Sequence, residues 1–170
     1  MARLSTLSAG IVVAIALVLA ACAPPPYDDV ADKMLVSVQQ QTDDGLIRLQ
    51  TLAQQAEMLE RVRPATPASA KALADVRAKL AYAANIEWYS SVLAGLTGLE
   101  ARILASPDAS SAGIGVAVAK IRQNVELFQA EHLRTNTVDA DSAKTARQIL
   151  DVQFKSLTLY QVTLKTGKKS

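Results

Sequence analysis

Small and apolar residues recur at alternating spacings of four and three over residues 31–59, and no other pattern in the sequence limits the fold as strongly. Such spacing puts one side chain per turn on one helix face, which is typical of long helices that pack at a shallow angle. It predicts a first helix from about Asp28 to Arg63. Thr42 and Gly45 thin the stripe, which is compatible with a kink, a close helix approach or a split into two helices. The stripe consists of Ala31, Leu35, Val38, Thr42, Gly45, Leu49, Leu52, Ala56 and Leu59.

Residues that end or cap helices divide the rest of the chain. Pro64 ends the first helix, because the residue before a proline avoids α geometry. Thr66-Pro67 is typical of a helix start, and Ser106-Pro107 of a helix end. The sequence therefore predicts further helices over about 67–105, 111–133 and from Asp139 or Asp141 to 164.

Each of these segments has an apolar face that we expect to form the core. In the second helix it comprises Leu73, Val76, Leu80, Ala83, Ala84, Trp88, Val92, Leu96, Leu99 and Ile103. In the third and fourth it comprises Ile114, Ala117, Val118, Ile121, Val125, Phe128 and Leu133, then Ala143, Ala146, Ile149, Leu150, Phe154, Leu157 and Leu164. Short connections imply antiparallel neighbours. We predict an all-α domain over 28–166, an antiparallel up-down bundle of three to four helices with a long N-terminal helical hairpin.

Composition agrees with this fold class and narrows the function. Aromatic residues make up 4% of the chain, and much of its 50% hydrophobic content is Ala and Leu, which favour helices. The 18 basic and 16 acidic residues are nearly balanced and dispersed, which argues against nucleic acid as a partner. With one cysteine, no intrachain disulfide can form.

Residues 1–22 have the three parts of an export signal: a positive Arg3, an apolar run over 7–19, and the small pair Ala20-Ala21. The run is shorter than the roughly 20 residues that a membrane span needs. Leu19-Ala20-Ala21-Cys22 resembles the bacterial lipobox, in which the cysteine becomes the first mature residue and carries acyl chains. An ordinary secretory signal and a retained membrane helix are the alternatives.

The lipobox resemblance implies a signal peptide over 1–21 and a lipid anchor on Cys22. Two or more acyl chains would hold the protein stably on a membrane. Residues 22–27 then form a proline-rich, stiff tether. Because Ala23 rather than Asp follows the cysteine, the sorting pattern of Gram-negative lipoproteins favours the periplasmic face of the outer membrane.

No group of residues predicts catalysis, a cofactor or a metal site. His132 is the only histidine, and we interpret it as a surface or helix-cap residue, since an isolated titratable group is weak evidence for a site. Haem held between Met34 and His132 is the one cofactor alternative, although methionine is more often core filler. The three or four nitrogen or sulfur ligands of zinc are missing.

Tyr82, Trp88 and Tyr89 form the one aromatic group that suggests a partner contact. Tyr82 and Tyr89 are seven residues apart, on one face of the second predicted helix, among small neighbours. Core packing is one interpretation; an exposed patch that docks a partner is the other, because tyrosine and tryptophan are enriched at binding hot spots.

The sequence as a whole predicts a membrane-anchored envelope lipoprotein that is not an enzyme. Its helical domain would act as an interaction or structural module that binds a protein partner or a second copy of itself. The alternative is a periplasmic helical bundle that binds a small ligand or lipid in a cavity between helices.

Overall fold

The computed structural model describes residues 27–62, 66–106 and 109–166, and within these ranges the chain is helical, with no strand. Five α-helices pack together, which confirms the all-α fold class. In the described part of the chain, no helix combines the length and apolar character needed to cross a membrane. The helices are α1 (Asp29–Arg61), α2 (Pro67–Leu80), α3 (Ile86–Leu104), α4 (Ala109–Thr135) and α5 (Ala140–Thr166), with a 3₁₀ turn (Tyr82–Asn85) between α2 and α3.

Some of the predicted features lie outside the described residues. The signal peptide, Cys22 and the proline-rich tether up to residue 26 are among them, as are Pro64 and Pro107.

Helix α1 is the central element, and it packs against α2, α3 and α5. The Asp28 side chain caps its start by accepting hydrogen bonds from the amides of Val30 and Ala31. Every member of the predicted stripe is buried or half-buried, so the register of this helix is confirmed. The helix is continuous through Thr42 and Gly45, and the thinned stripe marks a close approach: the Trp88 indole of α3 lies directly over Gly45.

Four helices surround the main core. α3 packs against α1 and α4, and α5 packs against α1 and α4, whereas α2 packs chiefly against α1. Ion pairs tie neighbouring helices together: Arg102 to Asp28 at 2.7 Å, and Arg147 to Asp43 at 2.6 Å. A second apolar cluster lies under α2, and the half-buried rings of Trp88 and Phe128 contact both clusters.

The prediction of one continuous helix over 67–105 is wrong, because the chain leaves α geometry at Ala81, whose ψ is 144°. Asn85 accounts for the break. Its buried amide donates to the backbone carbonyls of Lys79 and Ala81 at 3.0 and 2.9 Å, and its oxygen accepts from Arg48 of α1 at 2.9 Å. A side chain that binds local carbonyls competes with the helical ladder.

Four predicted core residues are exposed instead. Ala83 and Ala84 lie in the 3₁₀ turn, where the register of α2 is lost. Leu133 is 59% exposed, because position 132 takes the inward place at that turn of α4. Ile149 is 48% exposed, since its neighbour Leu150 occupies the core position.

The contact between Gly45 and Trp88 gives a stability test. A methyl group at position 45 would overlap the indole ring, so Gly45→Ala should lower the free energy of unfolding by about 1–3 kcal/mol, as overpacked cores do. Gly113 is the matched control, because nothing lies within 4 Å of an added Cβ there. Gly113→Ala should stabilise the protein by up to about 1 kcal/mol through helix propensity. Urea unfolding measures both, and equal effects would contradict the packing argument.

Candidate functional site

A chain of hydrogen bonds through His132 crosses the core at the break between α2 and α3. The Nε2 atom of His132 lies 2.7 Å from the carbonyl oxygen of Leu80, the last residue of α2. Its Nδ1 atom lies 2.9 Å from the hydroxyl of Tyr89 on α3. A carbonyl can only accept, so Nε2 carries the proton, and Nδ1 accepts from the tyrosine. Both ring nitrogens of this buried histidine are therefore engaged.

The surroundings of His132 favour its neutral form. Burial lowers the pKa of the imidazole, and the hydrogen bond to the Leu80 carbonyl opposes that shift less strongly. Burial likewise raises the pKa of the Tyr89 phenol, which keeps its proton. The rings of Tyr82 and Tyr89 pack edge-on against the imidazole, with centroids 5.6 and 5.8 Å away. This arrangement suits structural support rather than proton transfer.

The predicted surface location of His132 is wrong, because only 1% of the residue is exposed. His132 does hydrogen-bond to a helix terminus, as a cap residue would, but the terminus is that of α2 and not that of α4. The signal in the sequence was spacing: Val118, Ile121, Val125 and Phe128 precede it at intervals of three and four. Leu133 is the more hydrophobic of the two neighbours, so hydrophobicity alone predicts Leu133 in the core and does not predict the buried imidazole of His132.

The three predicted aromatic contact residues lie close together but differ in exposure. Tyr89 has no exposed surface and belongs to the core. Tyr82 and Trp88 are half-buried; the Trp88 indole nitrogen donates to the Gln41 carbonyl at 2.9 Å. Tyr82 accepts from Gln129 of α4 at 3.0 Å. A partner contact through Tyr82 and Trp88 stays a prediction, whereas Tyr89 offers no surface to a partner in this conformation.

A groove lies between α4 and α5, and we call it the α4/α5 groove. It contains two cavities of about 550 and 500 Å³. The first lies at the His132 end, with Leu127, Phe128 and Ile149 among its walls. The second lies near the start of α4, with Ile114, Val152 and Tyr160 among its walls. Both sizes fall within the range of ligand sites.

Small residues and one polar bridge give the groove its shape. Ala117 of α4 lines one cavity and Ala146 of α5 lines the other, and neither fills the space between the helices. Between them, Asn124 donates to Gln153 at 3.0 Å and ties the two helices together. The groove therefore consists of two cavities between α4 and α5, with the Asn124–Gln153 hydrogen bond between them.

The charged residues that line the groove differ in sign at its two ends. Glu131, Asp139 and Asp141 line the cavity near His132, and no lysine or arginine does. Arg134 pairs with Glu131 at 2.5 Å, whereas neither aspartate at the start of α5 forms an ion pair with a described residue. Asp139 accepts hydrogen bonds from the amide and hydroxyl of Ser142, and Asp141 is exposed. Among the described residues, Lys120 is the only charged one that lines the other cavity.

The described residues contain no cluster of three or more histidine, cysteine or acidic side chains that could hold a metal ion. Comparison with protein-family models, curated proteins and solved structures finds no match to this chain.

The His132 hydrogen bonds predict a pH dependence of stability. The folded state lowers the pKa of the imidazole, so the unfolded chain takes up the proton first as the pH falls. The free energy of unfolding should be at its full value above pH 6.5, the ordinary pKa of histidine, and decrease below it. His132→Gln should reduce this slope between pH 5.5 and 7.5 and cost about 1–3 kcal/mol at pH 8 through lost buried hydrogen bonds. Denaturant titrations at several pH values measure the free energy of unfolding of both proteins. If it changes equally with pH in the two, His132 is not the group responsible.

Proposed function

We propose that this protein is a lipid-anchored component of a bacterial cell envelope whose helical domain binds another protein and catalyses no reaction. The α4/α5 groove is the observation that supports binding of another protein. The observation that carries the anchor is the lipobox-like sequence that ends at Cys22.

The anchor and the helical domain are close in sequence. Only the short Ala23-Pro24-Pro25-Pro26 segment and Tyr27 separate Cys22 from the Asp28 cap of α1. A stiff tether of this length would hold the start of α1 beside the membrane. Ala23 after the cysteine supports the periplasmic face of the outer membrane, by resemblance to the Gram-negative sorting pattern.

Interhelix contacts support the up-down bundle arrangement as part of this proposal. Asp28 before α1 pairs with Arg102 near the end of α3, which fits antiparallel neighbours. Asp43 pairs with Arg147, and Gln39 accepts from Thr158 at 3.4 Å, so α5 runs back along α1. In such a bundle the α4/α5 groove extends from the tether end toward the opposite end.

The exposed apolar side chains beside the groove support a protein partner. Leu127, Ile149 and Val152 line its cavities and are 61%, 48% and 64% exposed. Exposed apolar side chains gathered around a groove are typical of a binding site. The role of His132 in holding helices together supports a non-catalytic domain, because both its nitrogens are already bound.

The alternative function is binding of a small ligand or lipid, and the two cavities favour it specifically. Native mass spectrometry of the protein extracted from membranes tests it. A ligand-binding bundle would carry a bound mass that Ala146→Leu, which should fill the cavity near His132, removes. If the mass of the protein is that of the acylated chain alone, the ligand-binding alternative is wrong.

The anchor is tested by the mass and location of the chain in a bacterial host. The wild-type protein should begin at Cys22, carry the mass of a diacylglyceryl group and fractionate with membranes. Cys22→Ser should lose the acyl mass completely. Ala23→Asp is the matched control: acylation should persist while the protein moves to the inner membrane. An unmodified wild-type cysteine would overturn the proposal.

A further inference from the structure

We propose that the occupant of the α4/α5 groove is an amphipathic helix of a partner protein, about 20 residues long. Its basic residues lie at the end that meets Asp139 and Asp141, and an acidic residue lies near Lys120. This inference rests on the proposed function and adds the chemistry and the orientation of the partner.

The shape of the groove fits a helix. Its lining extends along α4 from Gly113 to Thr135, which corresponds to roughly 30 Å at 1.5 Å per residue. A 20-residue helix has that length. Apolar side chains spaced at three or four residues would enter the two cavities, which is how amphipathic helices bind in grooves. The Asn124–Gln153 bridge would lie beneath the middle of the bound helix.

The charges at the two ends give the bound helix a direction. The aspartates at the start of α5 make one end of the groove acidic, and Lys120 makes the other end basic. A helix N-terminus carries partial positive charge and its C-terminus partial negative charge. The partner helix therefore places its N-terminus and its lysines or arginines beside Asp139 and Asp141, so it runs parallel to α5 and antiparallel to α4.

The same charges disfavour a second copy of this chain. Two copies anchored through Cys22 on one membrane stand side by side in the same orientation. Their grooves would meet with Asp141 facing Asp141 and Lys120 facing Lys120. Juxtaposed like charges reduce affinity and oppose such pairing.

An acyl chain fits the groove less well than a helix. Ligand sites bury most of the surface of a small molecule, yet the lips of this groove leave it open along its side. Leu127, at 61%, and Ile149, at 48%, would remain largely exposed around a single chain. The anionic head group of a lipid would also meet carboxylates at the His132 end.

Site-specific photo-crosslinking of the full chain in its native envelope tests the inference. A photoreactive phenylalanine analogue replaces Leu127 or Ile149 at the acidic end, or Val152 or Tyr160 at the basic end. Met58, which is 58% exposed on α1, is the matched control position. Mass spectrometry then identifies the crosslinked segment at each position.

The expected result is one partner segment with helical apolar spacing, crosslinked at all four groove positions and not at Met58. The acidic-end positions should map to its basic N-terminal part, and the basic-end positions to its C-terminal part. Asp141→Lys should reduce the yield about two- to fivefold, the effect of an exposed charge pair. Asp75→Lys on α2 is the charge control and should leave the yield unchanged.

Other outcomes overturn the inference in distinguishable ways. A partner protein that crosslinks through a strand, a loop or a helix in the reverse direction ends this inference and leaves the proposed function standing. A product of twice the chain mass shows a second copy in the groove. A lipid adduct, or no product above the Met58 control, contradicts both this inference and protein binding through the groove.

Discussion

One buried imidazole joins three of the five helices in the described part of the chain. His132 of α4 donates to the last carbonyl of α2 and accepts from Tyr89 of α3. The end of a helix leaves carbonyls without partners, and a buried end is costly unless side chains supply donors. His132 and Asn85 together supply them to Lys79, Leu80 and Ala81. The break between α2 and α3 is stable because these two side chains supply hydrogen-bond donors to carbonyls that the helix leaves without partners.

The break determines which surfaces of the bundle are covered. Both α2 and α3 lie along α1, and α3 also packs against α4, whereas α2 packs chiefly against α1. The second apolar cluster, beneath α2, shields the later part of α1. No described helix covers the two cavities between α4 and α5, and the small side chains Ala117 and Ala146 line them without filling them. The groove is thus a consequence of the same topology that buries His132.

Much of the fold could be predicted because apolar spacing and helix-ending residues agree. The α1 stripe predicted the buried face and a close approach at Gly45 as one of three options. The break at Ala81 could not be predicted in this way, since residues 81–85 contain no glycine or proline. It depends on the tertiary contact between Asn85 and Arg48, which local sequence does not reveal. The two cavities also depend on how small residues of separate helices face each other.

The position of the groove relative to the anchor gives the proposed binding its geometry. Tyr27 and Asp28 lie beside Arg102 and Lys165, so these residues form the tether end of the bundle. The Lys120 cavity is nearer that end, and the Asp139–Asp141 end lies away from it. Under the proposed anchor, a partner in the groove would therefore lie alongside the bundle, with its basic end farthest from the membrane. This orientation differs from the one that the membrane would favour. An anionic lipid surface would attract the basic residues of a bound helix toward the Lys120 end of the groove, not toward Asp139 and Asp141.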